Sequence, residues 1–416
     1  MHEKIAVIGA GIVGSAVAQA LAREGRDVVL LDRDEPGVAG ASFGNAGHIA
    51  AELVQPLPSP GLLFGFWREL YALDGPLDVP WRRLGAFAPW AMRFARAALQ
   101  REANTRALAP LVKPAVAAFA RLFEELRAAQ LIRSQGHLQV WFGDAAPRKA
   151  ESERAEMTRL GIAVAPASGA TLHGVARAAG GRAIAGLLFP DSGHVHDPLE
   201  VVRVLVDDAR QHGAAVQRAD VRAVRAAGDR IEVITPVGVE YYESVVVCAG
   251  AWSAPLLAPF GLRAPLEAAH GYHVELPLQP ALIDAPLVYM DEKVLVTPMR
   301  GRLRATSFME FSGLDSAPDP RKPAALRRKL RALGYRCDEH GDSWRGARPV
   351  LPDYLPGIGR AAGPHNLYYA IGHQHIGLTL APVTAQLVAD LVAQRTPRHD
   401  IAAFDLARFG TVGNTS

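Results

Sequence analysis

Residues 5–32 read IAVIGAGIVGSAVAQALAREGRDVVLLD, which is an apolar strand, a glycine-rich turn, a helix and a second apolar strand in succession. The turn has the G-x-G-x-x-G spacing of a dinucleotide-binding βαβ unit. Gly9 permits the tight turn, Gly11 lets a pyrophosphate approach the backbone, and Gly14 lets the helix pack closely on the strand. Because a helix N-terminus presents unpaired N–H groups to phosphate, the segment predicts a nucleotide-binding fold.

Asp32 ends the second strand, about twenty residues past the glycines, where a carboxylate can bind both ribose hydroxyls. A carboxylate there repels the 2′-phosphate of NADP, which favours FAD or NAD. Arg33, the next residue, weakens that preference and is itself a predicted cofactor contact.

The composition is that of an ordinary globular chain, since 49% of its 416 residues are apolar and its formal net charge is only +3. A length of this order predicts two or three domains. No basic run is present, which argues against a nucleic-acid partner. The two cysteines, Cys248 and Cys337, are too few for a disulfide scaffold. With no signal-peptide pattern and no membrane-spanning stretch, the expected location is the cytoplasm.

Two later segments of the chain have the strand-and-glycine pattern of a nucleotide-binding fold. A buried-type strand at 245–247 ends in Cys248, Ala249 and Gly250, and a strand at 367–371 leads through a glycine loop into a helix at 378–393. Between them, Asp197 is placed to cap a helix over 198–212. These segments predict a discontinuous cofactor domain that a second domain interrupts twice.

Four segments carry a family resemblance over essentially the whole chain. They are the glycine turn with Asp32, the loop 41–47 (ASFGNAG), the strand end 248–252 (CAGAW), and the G-x-R-P segment 346–349 followed by the G-H-x-x-x-G-x-T loop 372–379. Together these segments resemble the D-amino-acid oxidase superfamily of FAD enzymes, and most closely its bacterial D-amino-acid dehydrogenase branch.

The resemblance implies an α/β fold with a Rossmann-like, discontinuous FAD-binding domain and an inserted α+β substrate domain built on an antiparallel sheet. We place the FAD-binding domain at 1–50, 185–262 and 345–416, and the substrate-binding domain at 51–184 and 263–344. Family members with covalent flavin have a cysteine near the G-x-R-P segment. Because residues 346–359 contain no cysteine, the expected FAD is noncovalent.

The resemblance also implies that the 42–47 loop lies along the isoalloxazine edge. A helix N-terminus carries a fixed positive partial charge, which suits the negative charge of a reduced flavin at N1 and the C2 carbonyl. The helix after Gly377 is the candidate, with Thr379 as a further donor. The predicted cofactor-binding residues are Gly9, Gly11, Gly14, Asp32, Arg33, Ser42, Asn45, Ala46, Gly47, Val221, Ala249, Gly250, Trp252, Gly372, Gly377, Leu378 and Thr379.

Arg348 is the predicted anchor for a substrate carboxylate, because a guanidinium meets a carboxylate through two charge-assisted hydrogen bonds. His48 is predicted to contact the substrate or to accept its ammonium proton with a near-neutral pKa, and an ordinary loop hydrogen bond remains the alternative. His373 completes the predicted catalytic residues.

The predicted substrate pocket comprises His48, Tyr272, Arg348, Gln374 and His375. Gln374 and His375 stand where many family members have two glycines, so the substrate preference of those members does not transfer directly. For Tyr272 core packing is the alternative. No metal is expected, because the pairs His194 with His196 and His373 with His375 lack a third ligand at a recognisable spacing.

The implied reaction is FAD-dependent oxidative deamination of an amino acid, with D configuration implied by the resemblance alone. The substrate amine loses its proton, the α-hydrogen leaves as hydride to flavin N5, and the imino acid is hydrolysed to a 2-oxo acid. The acceptor of the electrons stays open among a quinone, an electron-transfer protein and oxygen.

Three alternatives stay open: oxidation of a secondary or cyclic amine such as D-proline or hydroxyproline, a non-catalytic flavin-carrying electron-relay subunit, and an NAD-dependent dehydrogenase. A cluster of aromatic residues and arginines suits peripheral contact with the inner face of the cell membrane, and an inward-facing aromatic stripe is the competing interpretation. The cluster comprises Phe64, Phe66, Trp67, Trp81, Phe87, Trp90 and Phe94 with Arg82, Arg83, Arg93 and Arg96.

Overall fold

The computed structural model describes residues 3–182, 184–279, 284–338, 341–363 and 366–411. The α-helices are α1 Ile12–Arg23, α2 Pro60–Gly65, α3 Leu84–Ala97, α4 Arg101–Val112, α5 Ala115–Glu125, α6 Ala146–Arg159, α7 Gly169–Ala178, α8 Pro198–Gln211, α9 Ser253–Leu257, α10 Arg321–Ala332 and α11 Gly377–Val392.

The strands are β1 Lys4–Ile8, β2 Asp27–Asp32, β3 His48–Ile49, β4 Leu77–Asp78, β5 Ile132–Arg133, β6 His137–Phe142, β7 Ala165–Pro166, β8 Ile184–Phe189, β9 Gly193–Val195, β10 Ala215–Arg218, β11 Ala223–Ala227, β12 Arg230–Thr235, β13 Gly238–Tyr242, β14 Ser244–Val247, β15 Glu267–Pro277, β16 Leu287–Tyr289, β17 Val294–Met299, β18 Arg302–Glu310, β19 Ser343–Val350, β20 Gly357–Arg360 and β21 Leu367–Ile371.

A six-stranded sheet forms the first layer, in the order β10-β2-β1-β14-β21-β20. All its neighbours pair in parallel except β20, which runs antiparallel to β21. Helices α1, α8 and α11 cover one face, and the three-stranded sheet β11-β12-β13 covers the other. A parallel sheet that is covered on both faces needs apolar strands throughout, which explains the continuous apolar runs in β1, β2 and β14.

A nine-stranded sheet forms the second layer, in the order β19-β15-β18-β17-β16-β6-β8-β7, with β4 beside β18. Most of its pairs are antiparallel, and α10 packs against β15 and β18. A small sheet has the order β3-β9-β5. It joins β3, which follows the first βαβ unit, to β5 and β9, which come before and after β6 in the chain. The domain bounds at 185 and 345 fall inside β8 and β19, which both belong to the nine-stranded sheet, and the bounds remain a prediction.

Helix α8 shows how local sequence rules set an element end. The Asp197 Oδ1 accepts a hydrogen bond of 2.9 Å from the Leu199 amide, and Pro198 occupies the first turn. The predicted cap is therefore present. Within the described residues no helix has the length and apolarity needed to cross a bilayer.

Candidate active site

A cleft with about 1510 Å³ of space, partly open to solvent, runs along the carboxyl ends of β1, β2, β14 and β21. This is the edge of a parallel sheet where ligands bind in open α/β folds. The residues that line it come from all three nucleotide-type segments, which the sequence places more than a hundred residues apart. Those used below are Gly9, Gly11, Asp32, Arg33, Ser42, Asn45, Val221, Cys248, Ala249, Gly250, Trp252, Ala347, Pro349, Gly372, His373, Gln374, Gly377 and Leu378.

The glycine turn has the tight geometry that its spacing predicts. Gly9 has a φ of 105°, and a Cβ there would lie 2.5 Å from the Cys248 carbonyl oxygen. A Cβ on Gly14 would lie 1.8 Å from the Gly9 oxygen, so helix α1 touches the turn directly. The Ser42 hydroxyl accepts a 2.9 Å hydrogen bond from the Ile12 amide, which places a polar group at the N-terminus of α1.

Asp32 is held in place by two backbone amides. Its Oδ2 accepts from Ala10 at 2.6 Å and its Oδ1 accepts from Asp34 at 3.1 Å. Each carboxylate oxygen keeps a further acceptor site for a ribose hydroxyl. The guanidinium of Arg33 lies 4.1 Å from the centre of the Trp252 ring, so these two cleft residues form a cation–π pair beside Asp32.

The N-terminus of α11 faces the other part of the cleft. The helix runs for 16 residues from Gly377 and has no side-chain cap, which leaves the first amides of the helix unpaired toward the cleft. Gln374, in the same loop, has a φ of 47°, and its buried Nε2 has no hydrogen-bond partner. An unpaired donor in a cleft wall is costly unless a ligand accepts from it.

These features fit an FAD molecule. Asp32 would provide a ribose contact and the start of α1 a phosphate contact. The start of α11, with Gln374, would provide donors for a flavin carbonyl. Thirteen of the predicted cofactor residues line the cleft, whereas Gly14, Ala46, Gly47 and Thr379 do not. The Thr379 hydroxyl instead accepts from the Ala50 amide at 3.1 Å and thereby joins α11 to the segment after β3.

Arg304 holds the 41–47 loop from the nine-stranded sheet, a role that no sequence pattern predicts. Its Nη1 donates to the carbonyl oxygens of Phe43 at 3.2 Å and Asn45 at 2.7 Å. Its Nε and Nη2 bind the Glu275 carboxylate, at 2.8 and 2.6 Å. This buried ion pair fixes the loop against β18.

Arg348 lies on β19 between two cleft-lining residues, Ala347 and Pro349. Because side chains alternate along a strand, its guanidinium is on the other face, where it packs over Gly271 of β15. Nη1 donates to the Phe308 carbonyl oxygen at 2.9 Å. Among the described residues no carboxylate forms an ion pair with Arg348. Burial lowers the pKa of this guanidinium, as expected for a cation with no anionic partner.

His375 lies close to Arg348, outside the cleft lining. Its surface is exposed, yet burial, and then the Arg348 charge, lower its pKa to about 4. The side chains packed around the ring lower the pKa even though part of the residue is exposed to solvent. The ring centre of Tyr354 is 6.2 Å from that of His375. His375 is therefore neutral at pH 7 and can accept a hydrogen bond there.

The structure bears on three expectations about catalytic and pocket residues. His373 lines the cleft but is only 3% exposed, and its Nε2 lies 3.1 Å from the Thr384 hydroxyl of α11, so its catalytic role stays a prediction. Tyr272 is only 3% exposed and donates to Glu310 at 2.6 Å in the core of the nine-stranded sheet, so it does not line the pocket. Burial lowers the pKa of His48 to about 3, so its expected near-neutral pKa is wrong.

Residues 4–391 match the family profile described as FAD dependent oxidoreductase (DAO). The chain is 30% identical over 423 residues to a D-amino-acid oxidase of Bradyrhizobium diazoefficiens, with 97% of this chain and 98% of that protein covered. It is 31% identical over 422 residues to a D-amino acid dehydrogenase of Paramagnetospirillum magneticum, with 98% and 99% covered.

Solved structures share the fold. Glycine oxidase from Geobacillus kaustophilus superposes with a TM-score of 0.75 at 23% identity, covering 98% of this chain and 99% of that chain. L-proline dehydrogenase from P. horikoshii has a TM-score of 0.73 at 19% identity, with 98% of each chain covered. These similarities confirm the predicted fold class.

Proposed function

Because the chain belongs to the DAO family of FAD-dependent oxidoreductases, which confirms the resemblance drawn from its sequence, we propose that it oxidises the α-carbon–nitrogen bond of an amino acid, with D configuration preferred. The product is an imino acid, which water converts to a 2-oxo acid. The preference for D configuration rests on the names of the curated relatives. The observation that carries the proposal is the half-buried Arg348 guanidinium, which has no acidic partner among the described residues and lies one residue from the cleft wall on either side.

In this proposal Arg348 binds the substrate carboxylate, and the carboxylate supplies the negatively charged partner that the guanidinium lacks. The neutral imidazole of His375 accepts a hydrogen bond from the substrate nitrogen and orients it. Bound FAD supplies the acceptor for the hydride that leaves the α-carbon. Gln374 and the start of α11 would hold the edge of the cofactor.

Anaerobic mixing of the purified flavoprotein with single substrates tests the reaction class. The panel consists of matched D- and L-amino acids, D-proline, hydroxyproline and amines without a carboxylate, and the measured signal is the visible flavin absorption band. We expect D-amino acids to bleach it. Bleaching by cyclic amines alone would assign the secondary-amine alternative. If chemical reduction bleaches the band and no amine does, the electron-relay alternative is correct.

The electron acceptor is proposed to be a quinone or an electron-transfer protein at an anionic lipid surface. Exposed aromatic side chains support this choice, since Phe64 is 86% exposed and Trp81 is 75% exposed. Arg68 and Arg82 stack on Trp67 and Trp81, which adds positive charge to the exposed rings. Three aromatic residues of the predicted cluster instead pack inward against Phe311 and Tyr354 and are not available for contact with lipid. They are Phe87, Trp90 and Phe94.

Flotation with vesicles tests this contact. Binding to vesicles that contain anionic lipid, weaker binding to zwitterionic vesicles and loss of binding in Phe64→Ser/Trp81→Ser protein would support it. Leu99→Ser is the control, because Leu99 is an exposed apolar residue of another segment. Trp90 is buried, so a change there would test packing rather than contact with lipid. Equal recovery of the protein with and without vesicles at low salt would contradict the proposal.

A further inference from the structure

A second group of polar side chains, outside the cleft lining, lies where the small sheet meets β6. Glu52 is 4% exposed and His137 is fully buried. The Glu52 Oε1 is 3.9 Å from the His48 Nε2 and 3.7 Å from the His137 Nε2. The three ligand atoms all lie within 4.8 Å of one another.

The three side chains do not form hydrogen bonds with one another. The His48 Nε2 and both ring nitrogens of His137 have no hydrogen-bond partner, since separations of 3.7 and 3.9 Å exceed hydrogen-bond length. Glu52 accepts one hydrogen bond, of 2.6 Å, from the Ser192 hydroxyl to its Oε2. Among the described residues no lysine or arginine forms an ion pair with Glu52. A buried carboxylate beside two unpartnered imidazoles is costly unless a cation completes the group.

The orientation of the imidazoles is fixed by packing. The His137 ring stacks on Phe189 with ring centres 4.6 Å apart and planes 12° apart. The His48 ring meets the His137 ring edge-on, also at 4.6 Å. The ring nitrogens therefore converge on Glu52 without any large rotation. The two metal pairs considered from the sequence differ in this respect, because neither gathers a third ligand within the described part of the chain.

We propose that His48, Glu52 and His137 form a binding site for one divalent transition-metal ion, with zinc as the preferred occupant. Two imidazole nitrogens and one carboxylate oxygen are a common zinc ligand set, with bond lengths of about 2.0–2.2 Å and a fourth position left to solvent. Tetrahedral geometry at those lengths places ligand atoms about 3.4 Å apart. The two distances to Glu52 are 3.9 and 3.7 Å and all three ligand atoms lie within 4.8 Å of one another, so closure requires the three side chains to move closer together. The site is independent of the substrate proposed above.

The metal would join two parts of the fold. His48 and Glu52 directly follow the loop that lies in the cofactor cleft, whereas His137 begins β6 of the nine-stranded sheet. An ion bound by all three residues would fix the 41–47 loop relative to the nine-stranded sheet. The expected effect of the metal is therefore on stability and loop order.

Zinc binding to the flavoprotein tests the proposal directly. The purified holoenzyme is stripped with a chelator and titrated with zinc chloride in competition with a chromogenic chelator. We expect one zinc ion per chain, and we expect zinc to raise the Tm of the wild-type protein. Glu52→Gln and His137→Gln each remove one ligand and should weaken zinc binding by at least about tenfold.

His212→Ala is the matched control. His212 Nδ1 lies 3.7 Å from the Asp208 Oδ1, which is the same separation in an exposed position, so this variant should keep full zinc binding. Wild-type protein that binds no zinc, or binds it no more tightly than the Glu52 and His137 variants, overturns the proposal. If zinc binds none of the proteins and Glu52→Gln instead raises KM for the amino acid, Glu52 pairs with the substrate ammonium and the metal site is wrong. The wild-type titration decides the matter even if a variant fails to fold.

Discussion

The guanidinium of Arg348 lies directly over Gly271, so closely that a Cβ on Gly271 would come within 2.0 Å of the arginine Nη2. The absence of a side chain at Gly271 therefore makes room for the proposed carboxylate anchor. Within the described part of the chain, Arg348 makes one hydrogen bond, to the Phe308 carbonyl oxygen, which leaves most of the guanidinium donors for a ligand.

Gly271→Ala should displace Arg348 without touching the cofactor. Overpacking of this kind typically costs about 1–3 kcal/mol of folding stability. Because a misplaced anchor costs up to about 100-fold in rate, we expect kcat/KM for the amino acid to fall by about 10- to 100-fold while FAD stays bound. Steady-state kinetics and the flavin spectrum measure the two effects. Gly174→Ala, at a helical glycine with open space around it, is the control and should leave both unchanged. Normal kinetics in Gly271→Ala would mean that Arg348 is not positioned by this contact.

The FAD should be noncovalent. Cys248 lies in the cleft wall, but burial raises the pKa of its thiol to about 12, so it stays protonated and is a poor nucleophile. Cys337 packs against the nine-stranded sheet, away from the cleft. Acid precipitation of the protein should therefore leave the yellow colour in the supernatant, and colour retained in the washed pellet would contradict this.

Arg304 should matter for FAD binding as well as for stability. Arg304→Ala leaves the Glu275 carboxylate without its closest partner and removes both hydrogen bonds to the flavin loop, so we expect a loss of about 3–5 kcal/mol of stability and weaker FAD binding. Thermal unfolding and titration of the apoprotein with FAD measure these. Arg302→Ala is the control, because Arg302 binds the same glutamate at 3.2 Å without reaching the loop. Equal FAD affinity in the two variants would argue against a role for Arg304 in holding the loop.

The ion pair between α1 and α8 predicts a loss of stability in acid. Desolvation raises the pKa of Asp208, but hydrogen bonds from Arg23 and Gln19 outweigh it and leave the pKa below the usual value. A lowered carboxyl pKa contributes stability that is complete above the unfolded pKa, near 3.9, and is lost as the pH falls through the folded pKa.

Asp208→Asn should therefore cost about 1–3 kcal/mol at pH 7, and the gap between variant and wild type should narrow below about pH 4. Denaturant unfolding at several pH values measures this. Asp207→Asn, which changes an exposed neighbour in an i,i+3 pair, should cost far less. If the free energies of unfolding of variant and wild type differ by the same amount at all pH values, the effect of Asp208→Asn comes from packing and not from the ion pair.

Local rules explain what the sequence could predict. The glycine turn and the Asp197 cap depend on residues within one turn of each other, and both have the expected geometry. Tyr272 shows where such rules fail. β15 stays in register with β19 through Tyr272, and the irregularity in its pairing with β18 adds a residue on β18. Tyr272 is buried because its ring packs against Phe308 and its hydroxyl binds Glu310, and the local pattern shows neither contact.

The remaining site features depend on contacts between distant segments. Arg304 and the 41–47 loop meet across 259 to 261 residues, and His137 begins a strand that the sequence pattern did not predict. The lowered pKa of His48 likewise arises from burial by other elements rather than from its neighbours in the chain. Only the folded structure brings such groups together.

The most direct test of the account compares wild type, Arg348→Ala and Arg348→Lys in anaerobic flavin reduction by an amino acid and by the corresponding amine without a carboxylate. Losing one partner of a buried charge pair costs about 2–5 kcal/mol, so Arg348→Ala should lower kcat/KM for the amino acid by about 30-fold to several thousandfold, with partial recovery in the lysine variant. FAD should remain bound in all three proteins, reaction with the amine should barely change, and Arg345→Ala, at an arginine of the same strand that already binds Ser316, should react with both substrates at near wild-type rates. Near-normal reaction of Arg348→Ala with the amino acid would contradict the account, because the carboxylate would then be bound elsewhere.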